Sequence, residues 1–396
     1  MGDALKRRLG LGLLTAYGVG IMVGAGIYVL VGVAAGEAGV WAPLSFVLAG
    51  LVAVPTALSF SELSARIPEA AGDSAYVEAG LKRHDLALMV GAINIIAGTV
   101  ASAAVLRGGV GYLTSITPIS FEAGVIGFGI LLTLIAIIGV LESLTFAAIL
   151  TVIEVVGLAM VIWAGFTAVP TPDWVHMPAP VWSGVLGASI FAFFAFVGFD
   201  DLVNMAEEAK NPGRNMPLSI LLSLAITAVL YALVSTAAVR AVPTELLATS
   251  QRPLALVWET AMGTGATFLS AIAVAAALNG VLAQIVMASR VLFGLGRRSP
   301  RLAVFHTAHP RFGTPVLATV LIGAVVIASA MTLPVARLAE ITTLALLVVF
   351  VIVNASLIGL KRKGGATPFD VPVFVPWLGI LGAVAMFGAN FAGGLR

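Results

Sequence analysis

Residues Gly18 to Gly32 read GVGIMVGAGIYVLVG, an apolar stretch that carries five glycines. The apolar run continues on both sides, from about residue 11 to 35, which is enough to cross a hydrocarbon core as an α-helix of ~20 residues. A glycine inside a helix costs roughly 1 kcal/mol relative to alanine. GAG at Gly24 to Gly26 lies near the centre of the run, so the weakness falls at the bilayer midplane. Released backbone groups cannot stay bare in lipid, and an unwound stretch survives only where it lines a cavity and finds other partners.

The rest of the chain fits that setting. Of its 396 residues 60% are hydrophobic and 10% charged, which excludes a soluble globule with an ordinary polar surface. Eleven apolar runs of spanning length lie at about 11–35, 41–63, 86–106, 123–141, 144–169, 183–206, 217–240, 264–295, 315–333, 338–360 and 373–393. The first is too long for a signal peptide and lacks a small-residue cleavage site, so it is expected to be a retained span. No independent soluble domain stands between the runs. With no cysteine, disulfides and thiolate metal sites are excluded, and His84, His176, His306 and His309 fall in expected loops, against a metalloenzyme.

A pI of about 9.0 could suggest nucleic acid, but the placement of the basic residues points to a membrane instead. With the N-terminus inside, sixteen Lys and Arg collect on the inner side: Lys6, Arg7, Arg8, Arg66, Lys82, Arg83, Lys210, Arg214, Arg290, Arg297, Arg298, Arg301, Arg311, Lys361, Arg362 and Lys363. Five stay outside: Arg107, Arg240, Arg252, Arg337 and Arg396. This is the positive-inside bias. It predicts a cytoplasmic N-terminus and, with eleven spans, an external C-terminus.

In that orientation the first run goes outward and the sixth inward. The sixth reads SIFAFFAFVGFDDLVNMAEE, Ser189 to Glu208, with Gly198, Asp200 and Asp201 where an apolar helix should continue. Two interrupted helices at corresponding places in two halves point to a transporter built from inverted repeats. The expected fold is an all-α integral membrane protein of about eleven helices. Residues 1–170 and 182–361 form two five-helix repeats, and 362–396 supply one further span. The halves share no residue-level identity, so topology and break positions carry the repeat.

The first break offers complementary poles. An outer half-helix starting near Ala25 presents free N–H groups and a positive dipole end, suited to a carboxylate. The inner half-helix ends near Met22 with free carbonyls, suited to an ammonium. Phe194 to Gly198 releases a second set of carbonyls, and Asp200 is expected at the N-terminal end of the half-helix that follows. Among Phe191, Phe193, Phe194, Phe196 and Phe199, one ring beside the break could close over a substrate while the others face lipid or core. The competing interpretation of the first stretch is that Gly20 and Gly24, spaced GxxxG, only let two helices approach.

Glu154 is the only carboxylate deep in the fifth run. An ionisable residue inside a bilayer is a functional candidate, and its structural alternative is a protonated carboxyl bonded to a neighbouring helix. Asn94, Asn279, Gln284 and Asn354 could line the cavity or tie helices together. Glu207, Glu208, Lys210 and Arg214 at the inner mouth suit a gating network or merely a helix end, for which KNPGRNMP is an effective stop. Ser64 to Asp85 leaves room for a short amphipathic helix with Ser74, Tyr76, Val77 and Leu81 on its apolar face.

Four stretches resemble the amino acid, polyamine and organocation permeases: GAGIY (Gly24 to Tyr28), ARIPEAAGDSAYV (Ala65 to Val77), FAFVGFDDLVNMAEEAKNPGRNMP (Phe194 to Pro217) and LNGVLAQIVMASRVLFGLGRR (Leu278 to Arg298). The third is long and specific, the first alone weak, and the likeness covers the first ten runs. The resemblance implies a substrate site over Met22, Val23, Gly24, Ala25 and Gly26 together with Phe194, Ala195, Phe196, Val197 and Gly198. Backbone N–H groups of Ala25 and Gly26 would hold the carboxylate. Carbonyls of Met22, Ala195 and Val197 would take the amino group, with Phe194 as aromatic gate. Ala25 stands where the family usually has serine, and eleven spans depart from its usual twelve. Many proton-coupled relatives carry a lysine where this chain has Glu154. Glutamate reverses that charge and could carry the coupling proton, attract a cation or join a cationic substrate's site.

The expected function is an amino acid permease of the plasma or inner membrane, working by alternating access without cofactor or metal. Apart from Glu154 no carboxylate points at the expected side-chain pocket, which favours a small or medium neutral L-amino acid. Proton symport and exchange are both open, with Na+ as a further coupling ion, and no oligomeric state is assigned. The alternatives are a cationic amino acid or polyamine exchanger, a non-transporting sensor, or an intramembrane enzyme using Asp200 and Asp201. Helix neighbours point about 100° apart, so that pair does not face across a scissile bond.

Overall fold

A computed structural model describes residues 7–68, 72–138, 144–298 and 300–393. Lys6 and the side chain of Ala25 lie outside the described residues. The described residues are 83% helical and contain no strand.

Among the described residues fifteen α-helices follow one another: α1 Leu11–Ala38, α2 Ala42–Arg66, α3 Gly72–Leu81, α4 His84–Leu113, α5 Phe121–Ile138, α6 Leu144–Thr167, α7 Pro172–Val175, α8 Trp182–Phe196, α9 Pro212–Ala241, α10 Thr244–Thr249, α11 Pro253–Met262, α12 Thr267–Arg298, α13 Val316–Thr332, α14 Val335–Lys363 and α15 Phe374–Gly393. Each of the eleven expected spans is occupied by one of them. Prolines set several starts, where a missing N–H costs nothing. Pro212 opens α9 behind the left-handed Asn211, and Pro315 and Pro334 stand just before α13 and α14. Lys361, Arg362 and Lys363 fill the last turn of α14, opposite in sign to its negative dipole end.

By length and composition eight stretches are apolar enough to cross a membrane. Three shorter apolar helices, Leu11–Gly24, Val316–Thr332 and Phe374–Asn390, stand beside them. The difference from eleven has two causes. The break in α1 divides the first span, its outer half counting together with α2 as Gly26–Arg66, and the ninth and eleventh spans are short.

Where lipid-like surface is needed, large apolar side chains point out, as with Leu51, Val152, Trp163 and Leu381. Small residues face inward and let backbones close up: Ala42, Ala49, Ala53 and Ala57 of α2 are fully buried. The broken helices α1 and α8 pack on each other, as do α2 with α9, α4 with α12 and α5 with α13.

The surface helix expected between the second and third spans is α3, but it is docked under the bundle against α4 and α14. Its buried face includes the expected Tyr76 and Val77, joined by Gly72, Asp73 and Gly80, while Ser74 and Leu81 are half-buried. A Cβ at Gly80 would strike the main chain of Ser356 in α14, so this docking is backbone against backbone.

Candidate substrate site at the two breaks

The five glycines of the opening stretch divide by role. A Cβ on Gly18 would crowd Ser223 of α9, and one on Gly20 would run into Thr151 of α6. These two permit close packing, as does Gly32 against the Leu247 carbonyl. Gly24 is different. It leaves the helical region, with φ −10° and ψ −170°, and nothing stands within 4 Å of where its Cβ would be. Half of the GxxxG interpretation therefore holds: Gly20 is a contact glycine and Gly24 is a break. Gly26 faces the second break, with the Ala195 Cα 3.7 Å and the Phe194 ring 3.8 Å from an added Cβ.

The second break is wider. The α-helix stops at Phe196, Val197 to Asp200 form a turn, and the chain resumes as a 3-10 segment over Asp201–Glu208. Gly198 has φ 125°, and a Cβ there would meet Ile21 of α1. Glycine is required at that point by conformation and by contact.

Asp200 stands at the N-terminal end of the segment that follows, as expected, and its Oδ1 accepts from the Gly198 N–H at 3.0 Å, so it also braces the turn. One expectation about this segment needs correction. The Phe194 carbonyl is not released, because the Val197 N–H donates to it at 3.1 Å. The half-helix dipole is correspondingly that of a short 3-10 segment.

Sequence inspection missed Tyr231, fully buried in α9. Its hydroxyl lies 2.5 Å from the Met22 carbonyl of the first break and 2.9 Å from the Ala195 carbonyl of the second. A phenol has one hydrogen to donate. It serves one carbonyl at a time, whereas an ammonium with three donors can serve both. A lone tyrosine in the middle of the run 217–240 was the available signal, because a phenol at that depth needs a polar partner.

The walls are aromatic and aliphatic. Phe194 and Phe196 are buried, and Phe196 and Phe46 both meet the Tyr231 ring edge-on, at 5.1 and 5.8 Å. Gly24, Gly26 and Val197 nevertheless keep part of their surface accessible, although neighbouring helices surround them. Glu154 is buried in α6, its backbone carbonyl 3.4 Å from the Tyr28 hydroxyl. Tyr28 is held in turn by Tyr112, which donates to its carbonyl at 2.7 Å.

The polar candidates fall elsewhere. Asn94 donates to Asp73 at 2.8 Å and Gln284 to Asp201 at 3.1 Å, so both serve an acidic cluster beyond the second break. Asn279 is half-buried in α12. Asn354 ties α14 to Thr56 of α2 at 3.1 Å, an interhelical bond. At the inner mouth the observed tie is main-chain: the N–H groups of Arg8 and Leu9 donate to the Glu208 carbonyl, and that of Lys210 to the Leu9 carbonyl. Asp73 lies outside the spans, and its burial pushes the carboxyl up to about 7, the Asp200 charge adding to this and the Asn94 bond opposing it.

Comparison with known proteins gives the family. The family model described as amino acid permease matches residues 9–394. An uncharacterized transporter of Mycobacterium tuberculosis is 30% identical over 391 residues, covering 97% of this chain and 86% of its own. The branched-chain amino acid permease BcaP of Bacillus subtilis is 29% identical over 410 residues, covering 96% and 87%. Cationic amino acid transporter 9, chloroplastic, of Arabidopsis thaliana is 30% identical over 336 residues, covering 78% and 58%. With the family matched along almost its whole length, the chain belongs to the amino acid permease family and is a multi-pass membrane transporter rather than an enzyme.

Proposed function

We propose that this transporter carries a neutral L-amino acid of small to medium size by alternating access, bound where the two breaks meet. The observation that supports this best is the Tyr231 hydroxyl between the Met22 and Ala195 carbonyls. Two acceptors converge on one donor, which is the local chemistry an ammonium completes. The N–H groups of Ala25 and Gly26 at the start of the outer half-helix would take the carboxylate. The ring of Phe194, 3.8 Å from the Cβ position of Gly26, closes the side of the site. An apolar wall suits an aliphatic side chain, as does the likeness to a permease named for branched-chain amino acids.

Residues 1–170 and 182–361 act as inverted repeats in this proposal. A two-fold exchange of the first five spans with the second five carries the contact of α1 with α9 onto that of α8 with α2. It likewise carries α1 with α6 onto α8 with α14, and both members of each pair are packed. Alternating access is then a rocking of one repeat on the other around the fixed breaks. The N-terminus lies on the cytoplasmic side of the plasma or inner membrane, following the basic-residue bias. Coupling is to protons, by symport or in exchange, with Glu154 as carrier beside Tyr28 and Tyr231.

A second reading, a cationic substrate, is favoured by that same Glu154 and by likeness to cationic amino acid transporters. Uptake of labelled leucine and lysine into proteoliposomes separates the two. The first reading expects leucine to accumulate, with excess lysine competing weakly; the reverse order favours the second. An inward proton gradient should raise uptake, and Glu154→Gln should flatten its pH dependence. A sodium gradient that substitutes for the proton gradient would overturn proton coupling, and an unchanged pH profile would remove Glu154 as carrier.

A further inference from the structure

Beyond the second break, three carboxyls from two elements come together. Asp73 belongs to α3, and Asp200 and Asp201 to the turn and 3-10 segment after α8. Asp73 is 8% exposed and Asp200 6%. Their donors are neutral: Asn94 of α4 for Asp73, Gln284 of α12 for Asp201 and the Gly198 N–H for Asp200. The second oxygen of Asp73, fully enclosed, meets no donor. The amide oxygens of Asn94 and Gln284 are enclosed in the same way.

Among the described residues no cation offsets these charges. On α3, Glu78 pairs with His84 of α4 at 3.5 Å. Glu62 of α2 is taken by Arg66 and by Lys361 of α14, and Lys363 of α14 donates to the Ala79 and Gly80 carbonyls at the far end of α3. Asp85 of α4 is paired with Arg83. Arg290 of α12 is exposed, and Glu207 and Glu208 farther along the 3-10 segment add only negative charge.

Three carboxylates in mutual range, Asp73 and Asp200 buried and Asp201 half-buried, with no counter-charge among the described residues, cannot all stay ionised. We infer that Asp73, Asp200 and Asp201 form a proton-binding site between α3 and the segment after the second break, holding one proton in common, and that losing this proton loosens the docking of α3. The enclosed bare oxygen of Asp73 marks where the hydrogen resides, and the elevation of that carboxyl to about 7 puts its release near neutrality. The site is separate from Glu154 and adjoins the second break only through Asp200, which braces its turn, so it acts on the inner end rather than touching substrate. It stands whether the transported amino acid is neutral or cationic.

The sign of the effect follows from linkage. The folded protein holds the proton up to about pH 7, whereas an unfolded aspartate releases it near ~3.9. Stability from this site therefore falls as pH rises from about 4 to about 7 and then levels off. The test is the thermal midpoint of the purified full chain in detergent across pH 5 to 8, for wild type, Asp73→Asn and Asp201→Asn, in potassium and in sodium buffers. Wild type should lose stability as pH rises, Asp73→Asn should flatten that fall, and Asp201→Asn should move it to lower pH. A wild-type slope retained in Asp73→Asn overturns the proposal, as does a slope set by sodium concentration at fixed pH. If the variants fail to fold, the infrared band of a protonated carboxyl in Glu154→Gln, where the other buried carrier is removed, decides: it should disappear on passing through neutrality, and its absence at pH 5 overturns the assignment. Neither readout involves transport, so failure here is distinct from failure of the substrate proposal, which labelled uptake measures.

Discussion

The two breaks solve one problem in different ways. In α1 a single residue, Gly24, leaves the helical region and the helix resumes at once; after α8 a four-residue turn gives way to a 3-10 segment. The first break sits in open space, with nothing within 4 Å of its Cβ position, while Gly198 of the second is pressed against Ile21. The second break is braced by its own Asp200, and the first is tied to the second through Tyr231. Thus the second break is a fixed floor and the first is the element free to respond, its released groups aimed at whatever binds. Unpaired backbone in lipid is costly enough that both need partners; both lean on Tyr231 of α9, and only the second also has a side chain of its own, Asp200, as a brace.

The largest effect that would break this contrast is steric. Gly26→Leu should reduce substrate binding and uptake to background while the thermal midpoint of the purified protein stays close to wild type. Gly26→Ala, whose Cβ has ordinary contact room at 3.7 Å or more, should retain binding. Binding by the leucine variant would remove this face from the site.

Next comes the floor against the responsive element. Gly198→Ala must take φ 125° and displace Ile21, so it should destabilise the fold by about 1–3 kcal/mol in chemical or thermal unfolding. Gly24→Ala meets no neighbour, and its cost should be under ~1 kcal/mol. Equal costs would mean that the two breaks are built alike.

Tyr231→Phe leaves the Met22 and Ala195 carbonyls without their hydroxyl, at a cost of about 1–3 kcal/mol for a buried unsatisfied group. The midpoint without substrate should drop, and the rise on adding leucine should grow, because the ammonium then repairs more. A substrate-induced shift that shrinks in proportion would make Tyr231 a direct substrate ligand instead of a stand-in.

Much of this was legible in the sequence, for stated reasons. The weakness at Gly24 to Gly26 and the interruption at Gly198 followed from helix propensity placed at mid-run, and both are breaks. The spans followed from apolar length. What could not be read was the identity of partners that come from elsewhere in the chain. Tyr231 lies 209 residues from Met22, and its polar tip is silent in a hydropathy pattern. Asn94 and Gln284 looked like cavity residues because polar groups in spans face inward, but the sequence could not show that Asp73 rises from α3 to claim the first and Asp201 the second. The face of α3 was legible only in part: Tyr76 and Val77 are buried as expected, but the close contact with α14 is made by the Gly80 backbone, which has no hydrophobicity to register.

A structure of the purified protein with leucine bound is the most direct measurement. Expected is a leucine whose carboxylate accepts from the Ala25 and Gly26 N–H groups and whose ammonium donates to the Met22 and Ala195 carbonyls, with the Tyr231 hydroxyl moved off at least one of them. Leucine bound away from residues 22–26 and 194–198, or those segments running as uninterrupted α-helix, would contradict it.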